Sequence, residues 1–261
     1  MDYTEEIGIL EMKRIQLNML EALNAFCEKE QIKYSMGFGS LLGAVRHNGY
    51  IPWDDDVDII MDRINYNRFL NSFQHPCYKV LTTGEDERYP YPFAKLVDTT
   101  THMIEHMRYK YNDMGVYIDI FPVDFAGNRM TNKLVNILKT FHMIKVIPDK
   151  NRNLVKIIGL VLLRLLLYPL SVHMIAYLID WLCDKPLKEN DICAVLVWGH
   201  FEKATFLFPE IENTTNVKFE NIKVSIINTY DSHLKNIYGD YMTLPPVDKR
   251  IAKHSYKVFK I

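Results

Sequence analysis

The chain has 261 residues, 48% of them apolar and 24% charged, a balance that suits one large or two small soluble globular domains. Lys and Arg number 31 against 32 Asp and Glu, for a formal net charge of −1. With no dense Lys/Arg run, this excludes a global electrostatic pull toward nucleic acid. Four scattered cysteines without a CxxC pair fit free thiols in a reducing compartment.

The first predicted element is a helix over residues 4–30, with Ile7, Leu10, Ile15, Leu20 and Leu23 in its apolar stripe and Thr4, Glu5 and Glu6 at its start. This polar, acidic opening lacks a signal-peptide pattern. Gly37-Phe38-Gly39-Ser40 reads as a tight turn into a short helix that ends near Arg46, and His47-Asn48-Gly49 as a second turn. Ile51-Pro52-Trp53 reads as extended, because the residue before proline avoids the helical region. A strand follows over 56–61 and a helix over 64–74. Apolar segments at 78–82, 93–98 and 101–109 come next, then a strand at 116–121 that Pro122 should stop. Residues 131–205 read as mostly helical and apolar. The tail holds a helical stretch that ends at Tyr238-Gly239-Asp240-Tyr241, before Pro245-Pro246. The expectation is an α+β chain with a strand-rich core over 1–125. A helical region and C-terminal block, 126–261, would pack on that core as one compact unit.

Residues 157–179 are long and apolar enough to raise the question of a membrane span. Arg164 within the stretch and Pro169 breaking it favour two packed helices instead, since an arginine at mid-bilayer costs about 2.5–3.5 kcal/mol. The sharper alternative is a surface that rests on a membrane without crossing it. The corresponding expectation is a cytoplasmic protein, with this stretch a candidate for peripheral contact at the inner face of the membrane.

The segment Trp53-Asp54-Asp55-Asp56-Val57-Asp58 crowds four carboxylates into five residues, directly before Ile59-Ile60-Met61. Like charges so placed repel one another, and a hard divalent cation, Mg²⁺ or Mn²⁺, would remove that cost. Side chains alternate along a strand, so Asp56 and Asp58 should project the same way, about 7 Å apart. Asp119, flanked by Ile118 and Ile120, is the candidate third ligand on a neighbouring strand; the plainer reading is a hydrogen-bonded structural acid. Gly37, Gly39 and Ser40, opening a helix, form a candidate phosphate-binding turn. A glycine-serine turn followed by an acid-bearing strand is the order used by nucleotidyltransferase-type enzymes. A calcium loop is rejected, because Ile59 and Asn65 stand where it requires Gly and Glu. In D-x-D phosphatases the apolar strand precedes the acids, the reverse of the order here. A sugar transferase with a metal-binding D-x-D stays open on the motif alone. Zinc is disfavoured, since His102 and His106 have no third ligand nearby.

The run Gly39-Ser-Leu-Leu-Gly-Ala-Val-Arg-His-Asn-Gly-Tyr-Ile-Pro-Trp-Asp-Asp-Asp-Val-Asp-Ile59 resembles the signature of the LicD family of phosphorylcholine transferases, which is related to fukutin and fukutin-related protein. Gly115-Val-Tyr-Ile-Asp-Ile-Phe-Pro-Val-Asp124 resembles its second block. Tyr238-Gly-Asp-Tyr-Met-Thr-Leu-Pro-Pro246, with Arg250 and His254, resembles its C-terminal block. The likeness covers roughly residues 10–125 closely and 215–255 more loosely. It implies a nucleotidyltransferase-like fold, in which a mixed sheet is flanked by helices. It also implies transfer of a substituted phosphate, such as phosphocholine, from a CDP-linked donor to a sugar hydroxyl. The acceptor would be a cell-surface glycan, teichoic acid or lipopolysaccharide, or a lipid-linked precursor. By the same resemblance Asp56, Asp58 and Asp119 are the metal and catalytic acids, and Gly39 and Ser40 the phosphate turn. Arg46, His47 and Lys95 become candidate donor contacts, each of them otherwise a surface charge, a helix cap or a solvated strand residue. Asp54 and Asp55 take supporting positions behind the ligands. Nucleotidyl transfer from CTP, and a non-catalytic glycan- or nucleotide-binding scaffold, are the alternatives.

Overall fold

The computed structural model describes residues 5–148, 154–199, 204–251 and 256–261. In chain order these form β1 (Glu5–Glu6), α1 (Ile9–Lys29), β2 (Ser35–Met36), α2 (Phe38–His47), β3 (Asp58–Asp62), α3 (Arg63–Ser72) and β4 (Tyr78–Leu81). Next come β5 (Ala94–Asp98), β6 (Thr101–Glu105), β7 (Tyr117–Phe125), α4 (Arg129–Val146), α5 (Leu154–Leu166) and α6 (Val172–Cys183). The remainder is β8 (Ile192–Ala194), β9 (Thr205–Leu207), α7 (Phe208–Glu212), β10 (Thr214–Phe219), β11 (Ile222–Ile227), α8 (Tyr230–Tyr238) and β12 (Tyr256–Lys260). The α+β expectation is borne out.

The central sheet has the order β2-β3-β7-β5-β4, and β8 and β9 extend it beside the far end of β7. Among the described strands β3 and β7 are the parallel pair; the other pairings are antiparallel. Val57, Ile59, Ile118 and Ile120 are fully buried. α1 packs over β5 and β7, burying Met12, Met19, Leu20 and Leu23, which recur at helical spacing.

Several boundaries differ from expectation. Glu5 and Glu6 form a strand against Lys260 and Phe259 instead of opening α1, with Glu5–Lys260 and Glu6–Lys257 ion pairs at 3.6 Å. Thr4 lies outside the described residues. Pro52 and Trp53 form a turn, closed by the Asp54 amide donating to the Ile51 carbonyl at 2.9 Å. The strand expected from residue 56 begins at Asp58, so Asp56 sits in the loop before it.

Pro122 does not stop the strand at 116–121, because β7 runs on to Phe125. The Asp119 amide donates toward β3, to the Val57 carbonyl, so even-numbered residues of β7 address the opposite side. There β5 ends opposite Ile120 and β8 begins opposite Asp124. Pro122 falls in the gap, where a missing N–H forfeits no ladder bond.

The apolar stretch 157–179 divides at Pro169 into α5 and α6, as its sequence suggests. Among the described residues no helix is long and apolar enough to cross a membrane. Arg164 has an internal role: its Nε donates to the Ile144 carbonyl at 2.8 Å and its Nη2 to Ile147 at 3.2 Å, satisfying carbonyls at the end of α4. Lys145 of α4 returns the contact, its ammonium binding the carbonyls of Leu167 and Leu170. The largely helical expectation for 131–205 misses β8 and β9, and the tail contains the unforeseen hairpin β10–β11.

Candidate active site

The parallel register sets Asp58 of β3 beside Asp119 of β7, and the antiparallel register sets Lys95 of β5 on the other side of Asp119. Neighbouring strands lie about 4.8 Å apart, so three charged side chains form one row across the sheet. Ile59, Ile120 and Leu96, on the opposite face, are fully buried and anchor the row.

Lys95 is not a solvated strand residue. It is 2% exposed, and its ammonium lies 2.5 Å from Asp119 Oδ1 and 3.3 Å from the centre of the Tyr117 ring, with Tyr91 at 4.6 Å. Aromatic faces are negative, so they stabilise a cation already paired with a carboxylate. Asp58 is only 8% exposed. Burial pushes its carboxyl well above the usual carboxylate range, the charges of Asp56, Asp119 and Asp54 push it further, and Lys95 opposes them.

Asp56, Asp58, Lys95 and Asp119 line one cavity of about 880 Å³. Its walls are aromatic and apolar, including Phe38, Tyr91, Phe93, Phe121 and Trp198, with Glu105 set among them. Phe38 holds φ +44° at the first residue of α2 and packs edge-on against Phe121, with ring centres 5.3 Å apart. A bulky residue in the left-handed region is strained, and such strain gathers where a side chain must be aimed.

The glycine-serine turn supports the acids from behind. Ser40 Oγ accepts the Asp58 amide at 2.9 Å. A Cβ on Gly39 would stand 2.8 Å from Asp54 Oδ2, so a side chain there would push the Asp54 carboxylate aside. Neither residue lines the cavity. Arg46 and His47 occupy the last turn of α2, away from the cavity lining: Arg46 Nη1 donates to the Tyr241 carbonyl at 2.7 Å, and its Nε to His47 Nε2 at 3.0 Å.

The carboxylates of Asp54, Asp55 and Asp56 each offer an oxygen within 4.8 Å of the others. This close trio differs from the expected set of Asp56, Asp58 and Asp119, and Asp56 belongs to both. Asp55 is held by the Tyr256 hydroxyl, which donates to its Oδ2 at 2.8 Å, and by Gln16 Nε2, which donates to its carbonyl at 3.2 Å. Asp54 and Asp55 also line a smaller cavity of about 420 Å³, with Trp53 and Tyr256. The Arg250 guanidinium covers the Trp53 ring at 5.4 Å, while His254 lies outside the described residues.

An all-oxygen donor set with more carboxylates than cations suits a hard divalent ion. The buried Asp58 carboxylate, surrounded by acids and opposed by Lys95 alone among its principal charge partners, is the observation that the group fits. Sequence reasoning missed the aromatic walls, Glu105, Tyr256 and Gln16. The run Tyr89-Pro90-Tyr91-Pro92-Phe93 was the available signal for part of the wall, its two prolines spacing three aromatic side chains.

Residues 31–151 match the family model described as the LicD/FKTN/FKRP nucleotidyltransferase domain. The chain is 28% identical over 271 aligned positions to the lipopolysaccharide cholinephosphotransferase LicD of Haemophilus influenzae, covering 98% of this chain and 99% of that one. An uncharacterized protein of Rickettsia typhi is 41% identical over 76 residues, 28% of this chain and 25% of its own length. Another, from Rickettsia prowazekii, is 51% identical over 55 residues, 20% of this chain and 21% of its own length. The chain is thus similar to the LicD family over residues 31–151, and to the Haemophilus influenzae protein along nearly its whole length.

Proposed function

We propose that this LicD-type transferase moves a substituted phosphate, phosphocholine being the leading candidate, from a CDP-linked donor to a sugar hydroxyl of a lipid-carried glycan such as lipopolysaccharide. The observation that carries the reading is the row Asp58–Asp119–Lys95 on the floor of a cavity large enough for a nucleotide-linked donor, with Asp56 beside it. Near full-length similarity to a lipopolysaccharide cholinephosphotransferase supports the cargo and the acceptor. The free cysteines fit work in a reducing compartment.

Asp56, Asp58 and Asp119 would hold Mg²⁺ or Mn²⁺, with Asp54 and Asp55 steadying the loop. Such an ion, when bound, neutralises charge on the pyrophosphate and on the departing nucleotide oxygen. Lys95 fixes one Asp119 oxygen and keeps the carboxylate aimed across the row. The Asp119 carboxylate receives the proton of the attacking hydroxyl as the new phosphodiester forms, and CMP leaves. The apolar walls exclude water, so the sugar hydroxyl is the nucleophile that reaches phosphorus. Ser40, by binding the Asp58 amide, positions the floor for this geometry.

The test is transfer from CDP-choline labelled separately in the choline and the nucleoside. The reading predicts choline label on the glycan and nucleoside label in CMP. Nucleoside label on the acceptor would overturn it in favour of nucleotidyl transfer.

A further inference from the structure

α5 is apolar on the side it turns to solvent. Val155, Ile158, Leu162, Leu165 and Leu166 recur at spacings of three and four along one exposed face, and Tyr168 just beyond the helix is 82% exposed. Its charged residue near the centre, Arg164, turns inward to the end of α4. The surrounding segment is basic. Of the 31 Lys and Arg in the chain, eight lie within residues 127–179; of the 32 Asp and Glu, one does, Asp149. Lys133 and Lys156 are exposed on α4 and α5. A chain of nearly zero net charge therefore carries, in its sequence, an excess of positive charge in the segment that contains this apolar helix.

We propose that the α5 face docks on the surface of an anionic phospholipid bilayer. A helix of 13 residues spans about 20 Å, too short for a hydrocarbon core of about 30 Å. It can lie in the interface, with its apolar side chains among the acyl chains and its cations among the headgroups. A symmetric pair of copies joined through this face would bring two basic segments together, which like-charge repulsion opposes. The placement deepens the proposed function and rests on it in one respect, the delivery of a lipid-carried acceptor. Arg164 ties α5 to Ile147, and Ile147 and Met143 line the cavity, so the docked helix sits next to the cavity wall.

The full chain is floated with vesicles of phosphatidylcholine alone or mixed with phosphatidylglycerol, at low and high salt. The expected result is binding to the mixed vesicles that weakens with salt. It should fall about tenfold in L162S/L166S and in K133E/K156E. Both pairs are exposed, and CMP release with a water-soluble acceptor checks that each variant is folded and active. Equal binding to both vesicle types, or unchanged binding by both variants, overturns the proposal. So does loss of a dimer in L162S/L166S without loss of vesicle binding. Flotation of a wild-type protein that releases no CMP from any CDP-linked donor would leave the docking standing and remove the transferase reading instead.

Discussion

Asp58 carries the clearest conflict between folding and function. A carboxylate that is 8% exposed beside Asp56 and Asp119 is held at a cost in free energy unless a cation joins it. Asp58→Asn should therefore raise metal-free stability by about 1 kcal/mol while lowering transfer roughly 10³-fold or more, measured by urea unfolding and by CMP release. Unchanged stability together with wild-type turnover would remove the metal assignment. Lys95 makes the opposite case. Lys95→Met removes the buried ammonium paired with Asp119 and should cost about 3 kcal/mol by the same unfolding measurement. Lys95→Arg should also lower activity, because the larger guanidinium does not fit the buried space that a compact ammonium fills between Asp119 and the Tyr117 ring.

At the scale of elements, the reciprocal contact between α4 and α5 is separable from catalysis. Arg164→Gln leaves the carbonyls of Ile144 and Ile147 without their donor, and should lower stability by about 1–2 kcal/mol without changing CMP release. α8 supplies a pH-dependent term. His233 is 6% exposed and stacked on Phe206 at 4.3 Å, and burial lowers its pKa to about 4. The unfolded chain binds the proton near pH 6.5 and the folded chain only near 4, so stability is lost as pH falls through that window. Between pH 7 and pH 5 the loss should be about 2 kcal/mol, and a His233→Phe variant should show a flatter profile in urea titrations at the two pH values. The sequence exposed these elements unevenly. The helical stripe of α1 and the break at Pro169 were legible because period and proline act locally. Pro122 was misread because its tolerance depends on where β5 ends and β8 begins, which is a property of the sheet. β10 was hidden by Thr, Asn and Lys on its exposed positions.

In the whole molecule, the acids were legible and the cavity was not. Asp56, Asp58 and Asp119 announce themselves as charges against apolar runs, and strand alternation correctly put Asp58 on the face opposite Ile59. Asp56 shares the cavity with Asp58 although it precedes the strand. The Tyr91–Phe93 run marks one part of the wall, but Phe38, Tyr117 and Trp198 join it only in the folded chain, and no local pattern marks those as its neighbours. The ties of Asp55 to Gln16 and Tyr256, 39 and 201 residues away, are equally beyond local reading. The most direct test of the account is CMP release from CDP-choline with a glycan acceptor, comparing wild type and Asp119→Asn with and without Mg²⁺. The account predicts Mg²⁺-dependent release by the wild type and at least about a 10³-fold loss in the variant. Equal release by both proteins in the presence of a chelator would contradict it.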